Sequence, residues 1–305
     1  MKYGRGFSFK GRRLLAPVLL MLSLAATVGA PAHAEGRSVT LDGRAPPYAI
    51  WHRLVMPGQD IALGVPAGQS AMVDGDAVGD IWTAPEKPGH HRLEVEDATG
   101  RTVQTVSLFV LKPRRAINER GYLEGYRIGR YPRNPPKGFI RLGPEDMNIP
   151  ISPSFTIGQF ICKQQPGRYP KFLLVTEANI HRLEVLLAAL RREGVTEARS
   201  FVIMSGFRTP FYNAAIGSAR LSRHLYGDAS DIYVDVDPRD GVMDDLNRDG
   251  RITKADADFL YDFAVRRFAE RPDVPAGGLG SYGANAVHGP FVHSDGRGGK
   301  ARWGR

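Results

Sequence analysis

The chain has 305 residues, 42% apolar and 24% charged, values that suit one or two packed domains and exclude wholesale disorder. Of its formal net charge of +9, five uncompensated basic residues (Lys2, Arg5, Lys10, Arg12, Arg13) lie in the first 34 positions, leaving 36 basic against 32 acidic residues in 35–305. A balance of +4 is too mild and too evenly spread to argue for nucleic acid, although it weakly suits an anionic polymer surface.

In chain order, residues 1–34 read as a signal peptide. Basic residues lead into the apolar run 14–29, and Ala32-His33-Ala34 supplies an A-x-A cleavage pattern before Glu35. The run is shorter than a comfortable bilayer span, and no later segment is apolar enough for one. Arg12-Arg13-Leu14-Leu15 fits a loose twin-arginine signal as well as the ordinary secretory route. The expectation is an exported protein, periplasmic or secreted, without a transmembrane segment once the signal is removed. Cys162, the one cysteine, excludes an internal disulfide framework, and its apolar surroundings predict a small buried hydrophobe.

Residues 35–113 predict an all-β module. Leu93 and Val95 alternate with charged neighbours, Asp97-Ala98-Thr99-Gly100 supplies a turn, and Val106, Leu108 and Val110 alternate in the return strand. The stretch Trp82-Thr83-Ala84-Pro85…Pro88-Gly89 followed by strands resembles bacterial immunoglobulin-like modules, and the length suits a small sandwich, slightly below the usual size. The adjacent His90 and His91 have metal-ligand chemistry, but on an exposed strand edge they need no metal. Residues 114–150, rich in Arg, Gly, Pro and Tyr, predict an ordered connector whose aromatics give it something to pack against.

From 151 onward the pattern becomes α+β. Thr176 is placed to cap a helix running to Arg192, with Ile180, Leu183, Leu187 and Leu190 on one face and Gly194 at its end. Apolar runs at 200–204, 232–236 and 291–293 predict strands. His224 and Asp231, seven residues apart, cannot share a helix face, but a turn at Gly227 entering a strand can bring them together, with His293 available as a third ligand. Two imidazoles and one carboxylate suit zinc, and three protein ligands leave the fourth position open, as in catalytic sites. Asp228 and Asp235 read as solvated or turn residues.

His224-x-x-Gly227-x-Ala229-x-Asp231 matches the H-x-x-G-x-A-x-D motif of the zinc D-alanyl-D-alanine carboxypeptidases, a family related to the hedgehog-type fold. Ser205-Gly206-Phe207-Arg208-Thr209-Pro210 resembles the family's S-G-[YF]-R-[ST]-P loop, and Phe291-Val292-His293-Ser294-Asp295 its F-[VI]-H-x-D ending. The resemblance covers about 120–305. It implies an α+β zinc peptidase domain at 151–305, preceded by the small β-sandwich, with His224, Asp231 and His293 as zinc ligands and Arg208 as the group that binds substrate or steadies an oxyanion. Many relatives carry an acid three residues before the last ligand. Here that residue is Pro290, so proton transfer falls to His288 or Asp295, and Asp295 is equally placed to orient a ligand.

Asp245, Asn247, Asp249, Arg251, Thr253 and Asp256 stand at the ligand positions of a twelve-residue EF-hand-like loop, 245–256, with Gly250 at position 6 and Ile252 at position 8. Asp in place of Glu at position 12 predicts weak Ca²⁺ binding, about 10⁻⁴–10⁻³ M. The competing reading is an Asp-rich turn that caps a helix. The cofactors expected are Zn²⁺ and, as a structural brace, Ca²⁺. The function implied by the resemblance is zinc-dependent hydrolysis of peptidoglycan stem peptides or cross-links. The alternative is a metal-retaining cell-wall binding protein without catalysis, and a calcium-dependent interaction module is a further rival.

Overall fold

Alternating apolar residues and closely spaced turns divide the first part of the structure into short strands. The computed structural model describes residues 38–305; the signal read at 1–34 lies outside them. Strands β1 (Thr40–Leu41), β3 (Asp60–Gly64) and β6 (Ile81–Thr83) form one antiparallel sheet in the order β1-β3-β6. Strands β2 (Ile50–Val55), β4 (Ser70–Val73), β5 (Asp76–Ala77), β7 (Gly89–Glu96) and β8 (Thr102–Val110) form a second, ordered β2-β8-β7-β4-β5. All its pairings are antiparallel except β2 with β8.

The period-two pleat of β8 divides its side chains between two cores. Val106, Leu108 and Val110 join Ile61, Leu63 and Trp82 between the two sheets. Phe109 faces the other way, and with Trp51 and Leu111 it enters the large core that also holds Phe155, Phe160 and Leu183. Polar bonds fix the same face. His52 Nδ1 donates to the Ile151 carbonyl at 2.9 Å, Ser107 Oγ to the Pro150 carbonyl at 2.8 Å, and Trp51 Nε1 to Glu177 at 3.1 Å.

The connector carries β9 (Lys112–Pro113), the hairpin β10 (Tyr122–Leu123) with β11 (Tyr126–Arg127), and β12 (Gly138–Leu142). Strand β12 pairs with β9 on one side and with β13 (Lys171–Leu173) on the other. Helix α1 (Glu177–Arg192) begins where the Thr176 hydroxyl accepts from the Asn179 amide, and Gly194 follows its end at positive φ, as its sequence predicts. Ile180, Leu183, Leu186, Leu187 and Leu190 are at most 1% exposed, so truncating one of these leucines to Ala costs about 2–5 kcal/mol. Cys162 is buried, as expected.

The platform for the site is a five-stranded sheet, β14 (Val202–Ser205), β15 (Ala229–Tyr233), β17 (Phe291–Asp295), β16 (Gly278–Tyr282) and β18 (Ala301–Trp303), in that spatial order. Only β16 and β18 run parallel. The short helix α2 (Pro210–Ala215) follows the Arg208 loop, and α3 (Lys254–Ala269) packs with α1 behind the sheet. No helix among the described residues is long and apolar enough to cross a membrane.

Candidate metal centre

Strand register brings the site together. Ser205 lies opposite Asp231, Asp231 opposite His293, His293 opposite Gly280, and Gly280 opposite Trp303. Directly opposed residues point to one face of a sheet, so residues almost a hundred positions apart form a single cross-strand row. Gly280 has a steric role in that row. A Cβ there would lie 2.2 Å from Trp303 Nε1, so the missing side chain admits the indole, whose ring sits 5.2 Å from that of His293.

His224 reaches the row from outside the sheet. It sits in the 3₁₀ turn Arg223–Tyr226, which ends at Gly227 with φ of 70°. A Cβ on Gly227 would fall 2.3 Å from the Leu174 carbonyl oxygen, so the turn requires glycine for both its dihedral and the close approach. The Arg208 amide donates to the His224 carbonyl at 3.1 Å and joins the arginine loop to this turn.

The ligand-bearing atoms of His224, Asp231 and His293 lie within 4.8 Å of one another, and all three residues are buried. His224 Nε2 is 3.2 Å from Asp231 Oδ1 and 3.3 Å from His293 Nδ1, which is itself 2.9 Å from the same carboxylate oxygen. Each imidazole is anchored by its remote nitrogen. His224 Nδ1 donates to the Gly206 carbonyl at 2.6 Å, and His293 Nε2 donates to Asp295 Oδ2 at 3.1 Å. Those bonds fix the tautomers and leave one lone pair per ring aimed at the shared point, the outer arrangement a metal-ligating histidine needs.

The electrostatics agree. Burial lowers the His224 pKa, so the ring is neutral. Burial alone would raise Asp231, but His224 and His293 hold it well below the usual carboxylate range. Burial pulls His293 down, yet its bonds to Asp231 and Asp295 prevail and raise it, so protons compete with a cation for this ring as the pH falls. Two buried imidazoles and a carboxylate fit a divalent cation such as zinc.

Residues 158–251 match the family model described as Peptidase M15. This segment, less than half of the chain, is similar to the M15 peptidases, zinc-dependent enzymes of the D-alanyl-D-alanine carboxypeptidase type. No curated protein and no solved structure matches the chain. The M15 match includes Arg208, His224 and Asp231, ends before His288, His293 and Asp295, and leaves the N-terminal strands outside.

The site opens into a cavity of about 490 Å³. Arg208 lines it, with Nε bonded to Ser205 Oγ at 2.7 Å, Nη1 to Ser218 Oγ at 3.2 Å, and Nη2 paired with Asp231 Oδ2. Arg223, Arg297, Tyr282 and Trp303 also line it, and the spacing of the motifs did not single them out. Tyr282 stacks on Phe291 at 4.6 Å and accepts a 2.7 Å bond from Trp303 Nε1. Only the register of β16 and β18 reveals that aromatic wall.

The proton-transfer candidates lie elsewhere. Asp295 is fully buried, its carboxylate taken up by His293, Arg297 and the Gly278 amide, so it stands where a ligand-orienting group would. His288 is not among the cavity-lining residues. Its Nδ1 donates to the Gly289 carbonyl at 2.8 Å, its Nε2 accepts from Asn285 at 2.8 Å, and its ring meets Phe291 edge-on. Asp235 accepts from the Asp240 and Gly241 amides, as a turn residue should. Asp228 departs from expectation: it is buried and paired with Arg223.

The loop 245–256 is closed by backbone amides. Asp245 accepts from the Asp249 and Gly250 amides, Asn247 from the Asp249 amide, and Asp249 from the Arg251 amide. Asp256, at the position that should complete an ion cage, accepts from the Leu246, Asn247 and Thr253 amides and is fully buried, while Thr253 caps α3. The carboxylates of Asp245, Asp249 and Asp256 do not converge as the ligand atoms of His224, Asp231 and His293 do, the one such cluster among the described residues. Ile252 is 42% exposed rather than packed inside.

Proposed function

We propose that the chain is an exported zinc peptidase that hydrolyses peptidoglycan stem peptides or cross-links, as a D,D- or L,D-carboxypeptidase or endopeptidase, in cell-wall remodelling. The observation that carries this reading is the convergence of one free atom each from His224, Asp231 and His293 at the floor of an open cavity. These three would hold zinc, which supplies Lewis acidity toward a scissile carbonyl and a nucleophilic water near neutral pH. Asp295 orients His293 through Nε2, and the Gly206 carbonyl orients His224 through Nδ1. Arg208 presents a fixed fork of donors to a peptide carboxylate or to the oxygen on which charge develops. The wall of Tyr282, Phe291 and Trp303 gives an extended peptide a rigid surface to lie against.

One observation favours a second reading, a wall-binding protein that keeps the metal but does not cleave. Among the residues lining the cavity, Asp231 is the only carboxylate, and the only imidazoles are His224 and His293. Mass spectrometry of products released from purified peptidoglycan, with and without chelator, separates the two. Chelator-sensitive release of free amino acids or cleaved cross-links establishes the peptidase; retention on the polymer without any product establishes the binder.

A further inference from the structure

The net charge of residues 35–305 is small, but its distribution is not even. Residues 112–141 hold nine basic side chains and two acidic ones. This short connector therefore carries more positive charge than the whole of 35–305 nets. Both salt bridges within it converge on Glu124, from Lys112 and Arg141. Among the described residues, no ion pair engages the other seven.

Three of those seven, Arg120, Arg127 and Arg130, line a single recess of about 380 Å³ bordered by Phe211 and by Glu119, its one acid. All three arginines are exposed, and Arg127 lies over the Phe211 ring at 3.9 Å. Stacking holds a guanidinium in place without neutralising it, so its donors remain available. A planar fork of donors matches carboxylate or phosphate oxygens. The recess shares none of its lining residues with the cavity above His224 and Asp231.

We propose that Arg120, Arg127 and Arg130 form an anion-binding site that anchors the chain to a cell-wall polymer bearing repeated anionic groups. The ligand chemistry is a carboxylate of the peptide stems or a phosphate on a polymer attached to them. The assignment of the polymer rests on the wall-directed function proposed above, whereas the site itself does not need cleavage to occur.

The test is co-sedimentation of the full chain with purified sacculi as a function of salt, using wild type and the triple variant Arg120→Gln, Arg127→Gln, Arg130→Gln. Sacculi stripped of phosphodiester-linked polymers by acid form one arm and untreated sacculi the other. The expected result is salt-sensitive retention of wild type, reduced roughly fivefold or more in the variant. Thermal melting and zinc content should not change, and turnover of a short soluble stem peptide should stay within about twofold, because steering charge acts on association rather than chemistry. Retention lost on stripping assigns the ligand to phosphate, and retention kept assigns it to the stem carboxylates. Equal retention of wild type and variant overturns the site, as does arginine-dependent binding to anionic phospholipid vesicles without binding to sacculi. If wild type sediments through these arginines yet cleaves no stem peptide, the anchor stands and the peptidase reading fails.

Discussion

Two segments read as ion sites from residue types and spacing, and the structure treats them differently. In His224, Asp231 and His293, the remote nitrogen of each imidazole is fixed by a neighbour, so the facing atoms are left converging and unshielded. In the loop 245–256 the oxygens are taken up by main-chain amides, and Asp256 alone accepts from three. A cation site needs neighbours that hold the ligands while leaving one atom of each facing a shared point. The centre formed by His224, Asp231 and His293 has that support from the Gly206 carbonyl and Asp295, and the aspartate loop folds onto its own backbone.

The largest effect that breaks this contrast comes from His224→Ala. Zinc content should fall from near stoichiometric to trace, and muropeptide cleavage should be lost with it, whereas the aspartate loop should be undisturbed. Elemental analysis of the purified variant checks the first point, and a variant that retains its zinc would remove the basis of the proposed centre. Next in size, Arg208→Lys keeps the charge but loses the fork. It should retain zinc and lower kcat/KM by roughly 10²-fold, in the range for losing one oxyanion donor. An unchanged kcat/KM would place Arg208 in a purely structural role on Asp231.

Asp295→Asn sharpens the comparison at the outer layer. It weakens the acceptor that orients His293 without touching a proposed ligand, and it should reduce metal affinity by about 10–100-fold. Competition with a chromophoric chelator measures this, and wild-type affinity in the variant would mean that Asp295 only braces Arg297 and Gly278. In the second region, Asp256→Ala should lower stability by about 2 kcal/mol or more, since it removes a cap partner and strands backbone amides. Millimolar calcium should leave Tm unchanged in the wild type. A calcium-dependent rise in Tm that Asp256→Ala abolishes would establish the ion-site reading of the loop.

Much of the centre was legible because its signals are local. The order His224, Gly227, Asp231 encodes a turn entering a strand, and Gly227 can be argued from its left-handed φ and its contact with Leu174 alone. Helix α1 was equally legible, since Thr176, the apolar face and Gly194 all lie within one short stretch. Register between distant strands was not. Trp303 reaches the site only because Gly280 lacks a side chain and β18 pairs in parallel with β16, and nothing local encodes that pairing. Asp256 fits two patterns at once: a carboxylate at the last loop position is also the N3 residue of the helix that follows, where it joins the helix cap. The charge of the connector was in plain view, but a whole-chain balance concealed it.

The smallest effect concerns His52, which lies on β2 away from both loops and is completely buried against Ile151. Burial lowers its pKa below the ordinary 6.5 and outweighs the attraction of Glu177. The folded chain therefore binds fewer protons at this ring than the unfolded chain does once the pH drops below 6.5. Stability must fall with pH in that window, by at most about 1.4 kcal/mol per unit from this one group. His224 contributes in the same direction when metal is absent, so the quantity to measure is the difference between wild type and His52→Phe, both with metal bound. The variant leaves the Ile151 carbonyl without its donor and should be less stable at pH 7 by about 1 kcal/mol. Its urea midpoint should nevertheless decline less between pH 7 and 5. Because His52 joins the N-terminal sheet to the rest of the core, the same titration reports on how the two parts are coupled. A single transition carrying the altered slope means that the strands before Lys112 unfold together with the M15 segment. Two transitions, with the slope confined to the first, would mean that the sheet opens alone while the metal centre stays closed.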